Sequence, residues 1–293
     1  ELDEATNGWQ PGDLIIVAAR PAVGKTAFAL NLLTNAAQNQ FAASPSAYFS
    51  LEMGGVALTT RIISSGAKIA LKSISHGTIS DQGITHITQV TLPGLFSAPI
   101  FIDDTPSLTL HELGAKARKL VAKEGVKLII VDYLQLMTGD STQRGNREQE
   151  VSKISRGLKI LAKELHVTII ALSQLSRDVE KRKGKPQLSD LRESGSIEQD
   201  ADIVGFLYRP DEDAIKEDYS LRNAWSLLIR KFRNGPLCDI HFKVYNEIQS
   251  WMSVEDGLDY ESRMNAGFSL KKDNDKFYLP SPKLDEGLDE FLF

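Results

Sequence analysis

Short apolar runs alternate with longer stretches of helical pattern through the first two-thirds of the chain. A continuous apolar run is typical of a strand buried on both faces of a parallel sheet, whereas apolar residues at helical spacing indicate an amphipathic helix. Strands are expected at 13–18, 46–51, 100–104, 127–132 and 167–173, and helices at 26–39, 54–66, 109–124 and 147–165. This alternation predicts an α/β fold with a mostly parallel central sheet flanked by helices.

The pattern changes in the last third of the chain. The stretch 176–199 is polar, contains Gly and Pro, and is expected to be a loop, and the acidic stretch 211–218 is expected to be a solvated loop. Further strands are expected at 203–208, 225–231 and 240–245, of which the last two are close enough to form an antiparallel hairpin. We expect one domain over residues 1–262 and a flexible or loosely docked tail over 263–293, which is charge-rich and broken by Pro.

Composition narrows the class of protein. The 293 residues are 42% hydrophobic and 25% charged, which is ordinary for a globular chain long enough to bury a core. A formal charge of −5 argues against a uniformly basic surface but is compatible with a local basic channel. The single cysteine, Cys238, excludes an internal disulfide and a cysteine-based zinc site, and favours a reducing compartment. No apolar run is long enough to span a membrane.

A phosphate-binding loop is predicted at ARPAVGKT, residues 19–26, because this segment follows a strand and opens a helix. In such a loop, backbone N–H groups converge on phosphate oxygens beside a helix N-terminus. Lys25 is expected to reach the β- and γ-phosphates of ATP, and Thr26 to place its hydroxyl on Mg²⁺. Ala19 stands where the full pattern has Gly, which is tolerable if its φ is negative. The predicted nucleotide-binding residues are Arg20, Pro21, Ala22, Val23, Gly24, Lys25, Thr26 and Ala27.

Three strand-end residues are candidates for the hydrolytic chemistry. Asp132 ends the most apolar strand and can hold Mg²⁺, usually through water, although a strand-end Asp can also simply cap a loop. The next residue, Tyr133, is no acid, so the general base must lie elsewhere. Glu52 is the best candidate, since a parallel strand beside the phosphate loop would bring it to the γ-phosphate; a surface glutamate at a helix start is the alternative. Gln174 can hydrogen-bond the γ-phosphate or its water.

Two cations near the C-terminal end are candidates for a shared site. The segment IRKFRNGP, residues 229–236, places Lys231 and Arg233 at alternating positions of a strand, so their side chains should point to one face. A cation supplied to the γ-phosphate of a neighbouring chain would act as an arginine finger. A pair of surface cations on an edge strand is the alternative, which the sequence alone does not reject.

Several motifs occur in one order along the chain: GWQPGDLIIVAARPAVGKTAFALN, FSLEM, IIVDYLQLM, ALSQLSR, LSDLRESGSIEQDAD and KFRNG. With these motifs the chain, up to residue 255 or so, resembles the C-terminal motor domain of DnaB-type replicative helicases of bacteria or phages, which have a RecA-like ATPase core. The segments VDYLQLM and LRESGSIEQDADI are the most specific. The resemblance implies an ATP-dependent, ring-shaped homo-hexamer that translocates 5′ to 3′ on single-stranded DNA, unwinds duplex DNA and binds ATP at subunit interfaces.

The resemblance also implies roles for individual residues. On this resemblance, Lys25 and Thr26 bind phosphate and Mg²⁺, and Asp132 is the Walker B acid, which holds Mg²⁺. Glu52 is the catalytic acid/base, and Gln174 is the γ-phosphate sensor. Lys231 and Arg233 act on the nucleotide site of the adjacent subunit. Because the sequence starts directly at the motor domain, we expect the family's N-terminal collar and linker to be absent. We therefore expect the chain alone to be a weak oligomer or a monomer that binds primase poorly. A loader and primase are the implied partners of the full-length protein, in the cytoplasm of a bacterial or phage-infected cell.

DNA contacts are implied for pore-facing loops. The matching segment is RESG, with Arg192, Glu193 and Gly195. The preceding RDVEKRKGK has five cations against two acids, a local charge of 5 − 2 = +3, and contributes the candidates Lys181, Lys183 and Lys185. A mobile, locally basic loop suits contacts with a nucleic-acid backbone, and without interleaved aromatic residues we expect little dependence on base sequence. A solvated loop without this role is the alternative.

Two other functions stay open. One is a RecA-like recombinase or clock-type assembly ATPase, which the LRESGSIEQDAD segment and the lack of a second ATPase repeat disfavour. The other is a nucleotide-switched loader or adaptor without helicase activity. The presence of Glu52, Gln174 and Arg233 together argues against that second alternative, because a binding switch has no need of a complete hydrolytic set.

Overall fold

The structure is a computed structural model that describes residues 2–137, 147–175, 184–191 and 195–269. The strands are β1 (Leu14–Ala19), β2 (Ser46–Ser50), β3 (Ile100–Asp103), β4 (Leu128–Asp132), β5 (Thr168–Gln174), β6 (Ile203–Tyr208), β7 (Ala224–Phe232), β8 (Cys238–Tyr245) and β9 (Ser250–Met252). The helices are α1 (Leu2–Thr6), α2 (Lys25–Ala37), α3 (Gly55–Ala67), α4 (Leu71–His76), α5 (Asp81–His86), α6 (Leu92–Ser97), α7 (Leu110–Glu124), α8 (Arg147–Leu165), α9 (Gly195–Asp200), α10 (Glu212–Glu217) and α11 (Val254–Ser269). A π-helical turn, Ile87–Thr91, joins α5 to α6.

The nine strands form one sheet in the order β3-β2-β4-β5-β1-β6-β7-β8-β9. The six strands from β3 to β6 in this order run parallel, and β7, β8 and β9 each pair antiparallel with the preceding strand. The expected mostly parallel α/β sheet and the β7–β8 hairpin are therefore confirmed. All parallel strands present their carboxyl ends at one edge of the sheet, where ligands of open α/β folds bind.

The strand order corrects one expectation about Glu52. Its strand, β2, does not pair with the phosphate-loop strand β1, because β4 and β5 lie between them. A helical crossover can return the chain to a position several strands away, so neighbours in sequence need not be neighbours in the sheet. The carboxyl end of β2 instead lies level with that of β4, where Ser50 is paired with Asp132.

The hydrophobic core has two layers, one on each face of the sheet. Alternate residues of β1 enter opposite layers: Ile16 packs with the apolar faces of α7 and α8, and Ile15 with those of α2 and α3. The stripe predicted on α8 is confirmed, since Val151, Ile154 and Leu158 are at most 1% exposed. Burial on both faces explains why the central strands are continuous apolar runs in the sequence.

Two segments expected to be loops contain short helices. In the stretch 176–199, α9 forms because Ile197 is completely buried and anchors one turn to the core. In the acidic stretch, α10 forms because the side chain of Asp211 accepts a hydrogen bond from the N–H of Ala214 at 2.9 Å, as a helix N-cap. The α10 segment is mostly exposed, as predicted for a solvated stretch.

Other elements had no counterpart in the sequence-based expectations. They are α1, the helical segment from α4 to α6, β9 and α11. The last of these crosses the boundary expected between residues 262 and 263, and the remainder of the expected tail, 270–293, lies outside the described residues. Within the described ranges, no helix is both long and apolar enough to cross a membrane.

Candidate active site

The predicted phosphate loop connects the carboxyl end of β1 to the first turn of α2. Ala22 and Gly24 have left-handed backbone conformations, with φ of 62° and 79°, and Ala19 does not. Alternation of right- and left-handed residues forms a concave arrangement of N–H groups that suits an anion, and the helix N-terminus adds positive potential. Because Pro21 and Ala22 are exposed, a phosphate can approach this loop from solvent.

Two tryptophans pack against the phosphate loop at Gly24. A Cβ atom on Gly24 would lie 3.3 Å from Cζ3 of Trp225 and 3.6 Å from Cζ2 of Trp251. Their rings pack edge to face, with centroids 5.3 Å apart, and Phe28 of α2 packs on Trp251 at 4.9 Å. Glycine is thus required at position 24 for its φ and for the space that the rings occupy.

The side chain of Asp132 meets that of Thr26 at the carboxyl end of β4. The Thr26 hydroxyl donates to Oδ2 of Asp132 at 2.8 Å, and the hydroxyl of Tyr48 donates to the same oxygen at 2.6 Å. Burial, and then the charge of Asp132, raise the pKa of Tyr48 well above its ordinary value, so this hydroxyl remains a donor at neutral pH. Tyr48 therefore fixes the orientation of the carboxylate.

Lys25 lies between the phosphate loop and this carboxylate. Its Nζ is 4.0 Å from Oδ1 of Asp132 and 4.2 Å from the centroid of the Tyr133 ring, and its side chain is 14% exposed. Burial lowers the pKa of Lys25, whereas the charges of Asp132 and Glu52 raise it. The ammonium is thus held by one anion and one aromatic face, both on β4 or directly after it.

The donor set fits Mg²⁺. A hard cation takes oxygen ligands, and Thr26 and Asp132 bring a hydroxyl and a carboxylate together. Oδ1 of Asp132 is buried and accepts no hydrogen bond, so one carboxylate oxygen is open to a cation or to a water bound to it. Among the described residues, no group of three or more His, Cys, Asp or Glu side chains forms another metal site.

Tyr48→Phe tests the role of this second hydroxyl. Loss of a charge-assisted hydrogen bond frees the Asp132 carboxylate, and we expect the Mg²⁺ concentration that gives half-maximal ATP hydrolysis to rise about tenfold. The measurement is a Mg²⁺ titration of the hydrolysis rate at saturating ATP. Tyr245→Phe is the matched control, because the hydroxyl of Tyr245 on β8 also donates to a carboxylate, that of Glu261 on α11, at 2.9 Å. Equal Mg²⁺ dependence of the two variants would contradict the assignment.

Glu52 and Gln174 both lie at the edge that carries the phosphate loop. Glu52 is exposed just beyond β2, and its charge acts on both Lys25 and Tyr133. Gln174 ends β5 in register with Ala19, the last residue of β1. The side chain of Gln135 ties this strand end to the segment after β4, since its Oε1 accepts from the Gln174 N–H at 3.2 Å.

Lys231 and Arg233 point the same way, as predicted, but not toward the phosphate loop of their own chain. Both donate to the carbonyl oxygen of Gln199, at 3.4 Å and 3.0 Å. The Lys231 ammonium also donates to the carbonyl groups of Glu198 and Ala201, near the end of α9. In the sheet, Phe232 is paired with Ile203 and Ile203 with Ile15, so this end of β7 lies level with the start of β1, with β6 between them. The phosphate loop follows the opposite end of β1.

Of the predicted DNA contacts, only Lys185 and Gly195 fall within the described residues. Lys185 is exposed, and its Nζ lies 2.8 Å from Oδ2 of Asp239 on β8. Gly195 is the first residue of α9. Lys181, Lys183, Arg192 and Glu193 lie outside the described residues, so these positions stay predictions.

Sequence reasoning gave no role to several residues that the fold brings to the site. They are Tyr48, Tyr133, Gln135, Trp225 and Trp251. Tyr133 and Gln135 belong to the VDYLQLM motif, which was a usable signal for their importance but not for their contacts. The tryptophans carried no signal, because a large apolar residue in a strand is expected in any core.

Comparison with known proteins identifies relatives for most of the chain. A family model described as DnaB-like helicase C terminal domain matches residues 1–253. The chain is 45% identical over 260 residues to Replicative DNA helicase DnaB of Geobacillus stearothermophilus, covering 88% of this chain and 56% of that protein. Replicative DNA helicase DnaC of Bacillus subtilis (strain 168) matches with the same identity and coverage. The chain thus spans just over half the length of these relatives.

Solved structures agree with the observed fold. One is a structure of a DnaB-like replicative helicase and its interactions with primase, with a TM-score of 0.78, 33% identity, and coverage of 86% of this chain and 60% of that chain. Another is the structure of an ATPase domain, with the same TM-score and identity and with 88% of that chain covered.

Proposed function

Because the chain belongs to the family of DnaB-like helicase C-terminal domains, we propose that it is the ATP-hydrolysing motor of a replicative DNA helicase. In this proposal the chain forms a ring-shaped homo-hexamer, and hydrolysis drives translocation along single-stranded DNA and unwinding of the duplex ahead. The full-length protein would also bind a helicase loader and primase. The chain itself is the part that holds the nucleotide.

One observation carries the proposal. Lys25, Thr26 and Asp132 meet at the carboxyl edge of the sheet, while Arg233 lies at the amino end of β1. The nucleotide site of one chain is therefore without this cation unless a second chain supplies it. A shared site of this kind links hydrolysis to the arrangement of neighbouring subunits, which a motor requires and a monomeric switch does not.

Each site residue has one step in the proposed mechanism. The phosphate loop and Lys25 hold the β- and γ-phosphates, and Thr26 and Asp132 hold Mg²⁺, which when bound neutralises charge on the phosphate oxygens. Glu52 orients the attacking water and accepts its proton as the water oxygen bonds to the γ-phosphorus and the bond to the β-phosphate oxygen breaks. Gln174 contacts the γ-phosphate or this water. Lys231 and Arg233 serve the γ-phosphate of the adjacent subunit.

The basic segment after β5 is the proposed DNA contact. Gln174 ends β5, and the chain then enters the stretch with Lys181, Lys183 and Lys185, followed by Arg192, Glu193 and Gly195. Gln174, which in this proposal contacts the γ-phosphate, is thus followed in sequence by the segment that contacts DNA. Such continuity allows the state of the nucleotide to change the position of the loop.

The test is the ATP hydrolysis rate with and without single-stranded DNA across a range of protein concentrations. We expect the rate per chain to rise with concentration, because sites form between chains, and to rise further with DNA. The binding of single-stranded DNA should weaken strongly between about 50 and 200 mM salt, as expected for contacts with the phosphate backbone. A rate per chain that is independent of both concentration and DNA would favour the nucleotide-switched adaptor instead.

A further inference from the structure

The carboxylate of Asp202 lies directly behind Arg233. Asp202 precedes β6, and its side chain is 6% exposed. Its Oδ1 is 3.2 Å from Nη1 of Arg233, and its backbone carbonyl accepts from the Arg233 N–H at 2.9 Å. Nη2 of the same guanidinium donates to the carbonyl of Gln199 at 3.0 Å. Contacts therefore hold Arg233 both at its backbone N–H and at its guanidinium group.

The carboxylate itself is held in one orientation. Its Oδ2 accepts from the N–H of Leu14, the first residue of β1, at 2.9 Å and from the ammonium of Lys159 on α8. Lys159 also donates to the carbonyl of Gly12 at 2.7 Å. With Oδ2 bonded to two elements, Oδ1 has a single direction in which to meet the guanidinium.

The arrangement leaves part of Arg233 available. Its side chain is 49% exposed, and a guanidinium has five N–H donors; the ion pair with Asp202 lies at Nη1 and the hydrogen bond to Gln199 uses Nη2. A planar fork that is anchored by two contacts holds its remaining N–H donors in a defined place, at a lower entropic cost than a free side chain. The Lys231 ammonium donates to three carbonyl groups of its own chain, so it must release at least one of them before it can contact the phosphate of a neighbour.

We propose that Asp202 is a positioning residue for the nucleotide site of the neighbouring subunit, which it serves by holding the guanidinium of Arg233. The inference rests on the proposed function, because it requires that Arg233 acts on an adjacent chain. It adds a buried carboxylate that contacts neither nucleotide nor Mg²⁺. It also connects the start of β1, whose other end carries the phosphate loop, with the cation that serves the next site.

Asp202→Asn is the informative substitution. Asparagine has one oxygen, which the two donors at the Oδ2 position, Leu14 N–H and Lys159, will claim. Its NH₂ group then faces Arg233 and cannot accept from it. The variant thus keeps the tie to β1 and removes the partner of the guanidinium. We expect kcat for ATP to fall by about 10- to 100-fold, with the KM changed by no more than about twofold.

Asp13→Asn is the matched control. Asp13 lies in the same charged cluster, with Oδ1 3.9 Å from Nζ of Lys159, and the pKa of its carboxyl responds to Arg233 less than to Lys159. We expect this variant to retain kcat within about twofold, since Arg233 keeps its partner. A further check is the double variant Asp202→Asn/Arg233→Ala, which should be no slower than Arg233→Ala alone. An additive loss would mean that Asp202 acts through something other than Arg233.

Mixing separates positioning in trans from a structural role in cis. Asp202→Asn chains have an intact Glu52, and Glu52→Gln chains have an intact Arg233, so their mixture should hydrolyse ATP faster than the sum of the two alone. If this mixture shows no gain while a mixture of Arg233→Ala with Glu52→Gln does, the inference about Asp202 is wrong. If neither mixture gains, the shared site of the proposed function is wrong as well.

A second readout does not depend on assembly. Rotation of the Arg233 guanidinium about its Cζ–Nε bond, measured by ¹⁵N NMR, should be slow in the original chain and in Asp13→Asn, and faster in Asp202→Asn. Equal rotation rates in all three would show that Asp202 does not fix the guanidinium, and would overturn the inference.

Discussion

Lys25→Ala is expected to lower kcat/KM for ATP by at least about 10²–10³, the cost of removing a preorganised charge from a phosphate site. The Lys25 ammonium is held by Asp132 and Tyr133 at the mouth of the phosphate loop, with its pKa lowered by burial. Alanine leaves the loop, α2 and the tryptophans beneath Gly24 in place. The fold should therefore survive, as circular dichroism and thermal unfolding will show, while nucleotide-dependent activity is lost.

Lys116→Ala provides the matched control for this substitution. Lys116 is also a lysine paired with an aspartate, Asp103 at 2.6 Å, but it lies at the β3 edge of the sheet. The control should keep the original hydrolysis rate. If folded Lys25→Ala hydrolysed ATP at near the original rate, phosphate would have to bind elsewhere and the assignment of the loop would be wrong.

Arg233→Ala is expected to retain nucleotide binding and to lower kcat for ATP hydrolysis by a factor of about 10³–10⁵, the effect of removing an arginine finger. From Ile15, level with the end of β7, to Ala19 is four residue steps, or about 13 Å along a strand. The phosphate loop lies beyond that. Arg233 follows Phe232, which is level with Ile15, so Arg233 lies still farther from the phosphate loop than Ile15 does. It therefore cannot approach the γ-phosphate of its own chain. Nucleotide affinity, measured by fluorescence with a labelled analogue, should change far less than kcat.

Complementation is the decisive measurement for Arg233. Arg233→Ala chains carry Glu52, and Glu52→Gln chains carry Arg233, so random association places both intact parts at about one interface in four. We expect the mixture to recover a corresponding part of the rate. The control is Arg230→Ala in place of Arg233→Ala, because Arg230 lies on β7, three residues before Arg233, but is paired with Asp239 at 2.6 Å. Absence of any gain in the Arg233 mixture would exclude a site shared between chains.

Local pattern was sufficient for much of the fold. The phosphate loop is a contiguous segment between one strand and one helix, so its placement follows from residues 13–39 alone. The apolar runs of β4 and β5 and the stripe on α8 are direct consequences of burial, and their bounds agree with the structure to within a residue or so. The helix α9 was missed because one buried residue, Ile197, in a polar segment leaves almost no periodic signal.

The order of the strands in the sheet and the contacts between distant residues could not be predicted from local sequence pattern. Tyr48 and Asp132 are 84 positions apart, and Thr26 and Asp132 are 106 apart. The hydrogen bonds between them depend on where the crossovers place β2 and β4, which a local pattern does not specify. The same applies to Arg233, whose spacing on a strand predicted a shared direction with Lys231 but not the end of the sheet at which both lie.

By itself the sequence determined the chemistry that is available: a phosphate loop, an acid at the end of a buried strand, a glutamate and a glutamine at strand ends, and two cations near the C-terminal end. Only the tertiary structure decided which of these meet. It joined Thr26, Tyr48 and Asp132 at one edge and tied Arg233 to Asp202 at the opposite end. The physical reason is that residue type and spacing are local properties, whereas burial, pairing and pKa depend on neighbours that only the folded chain brings together.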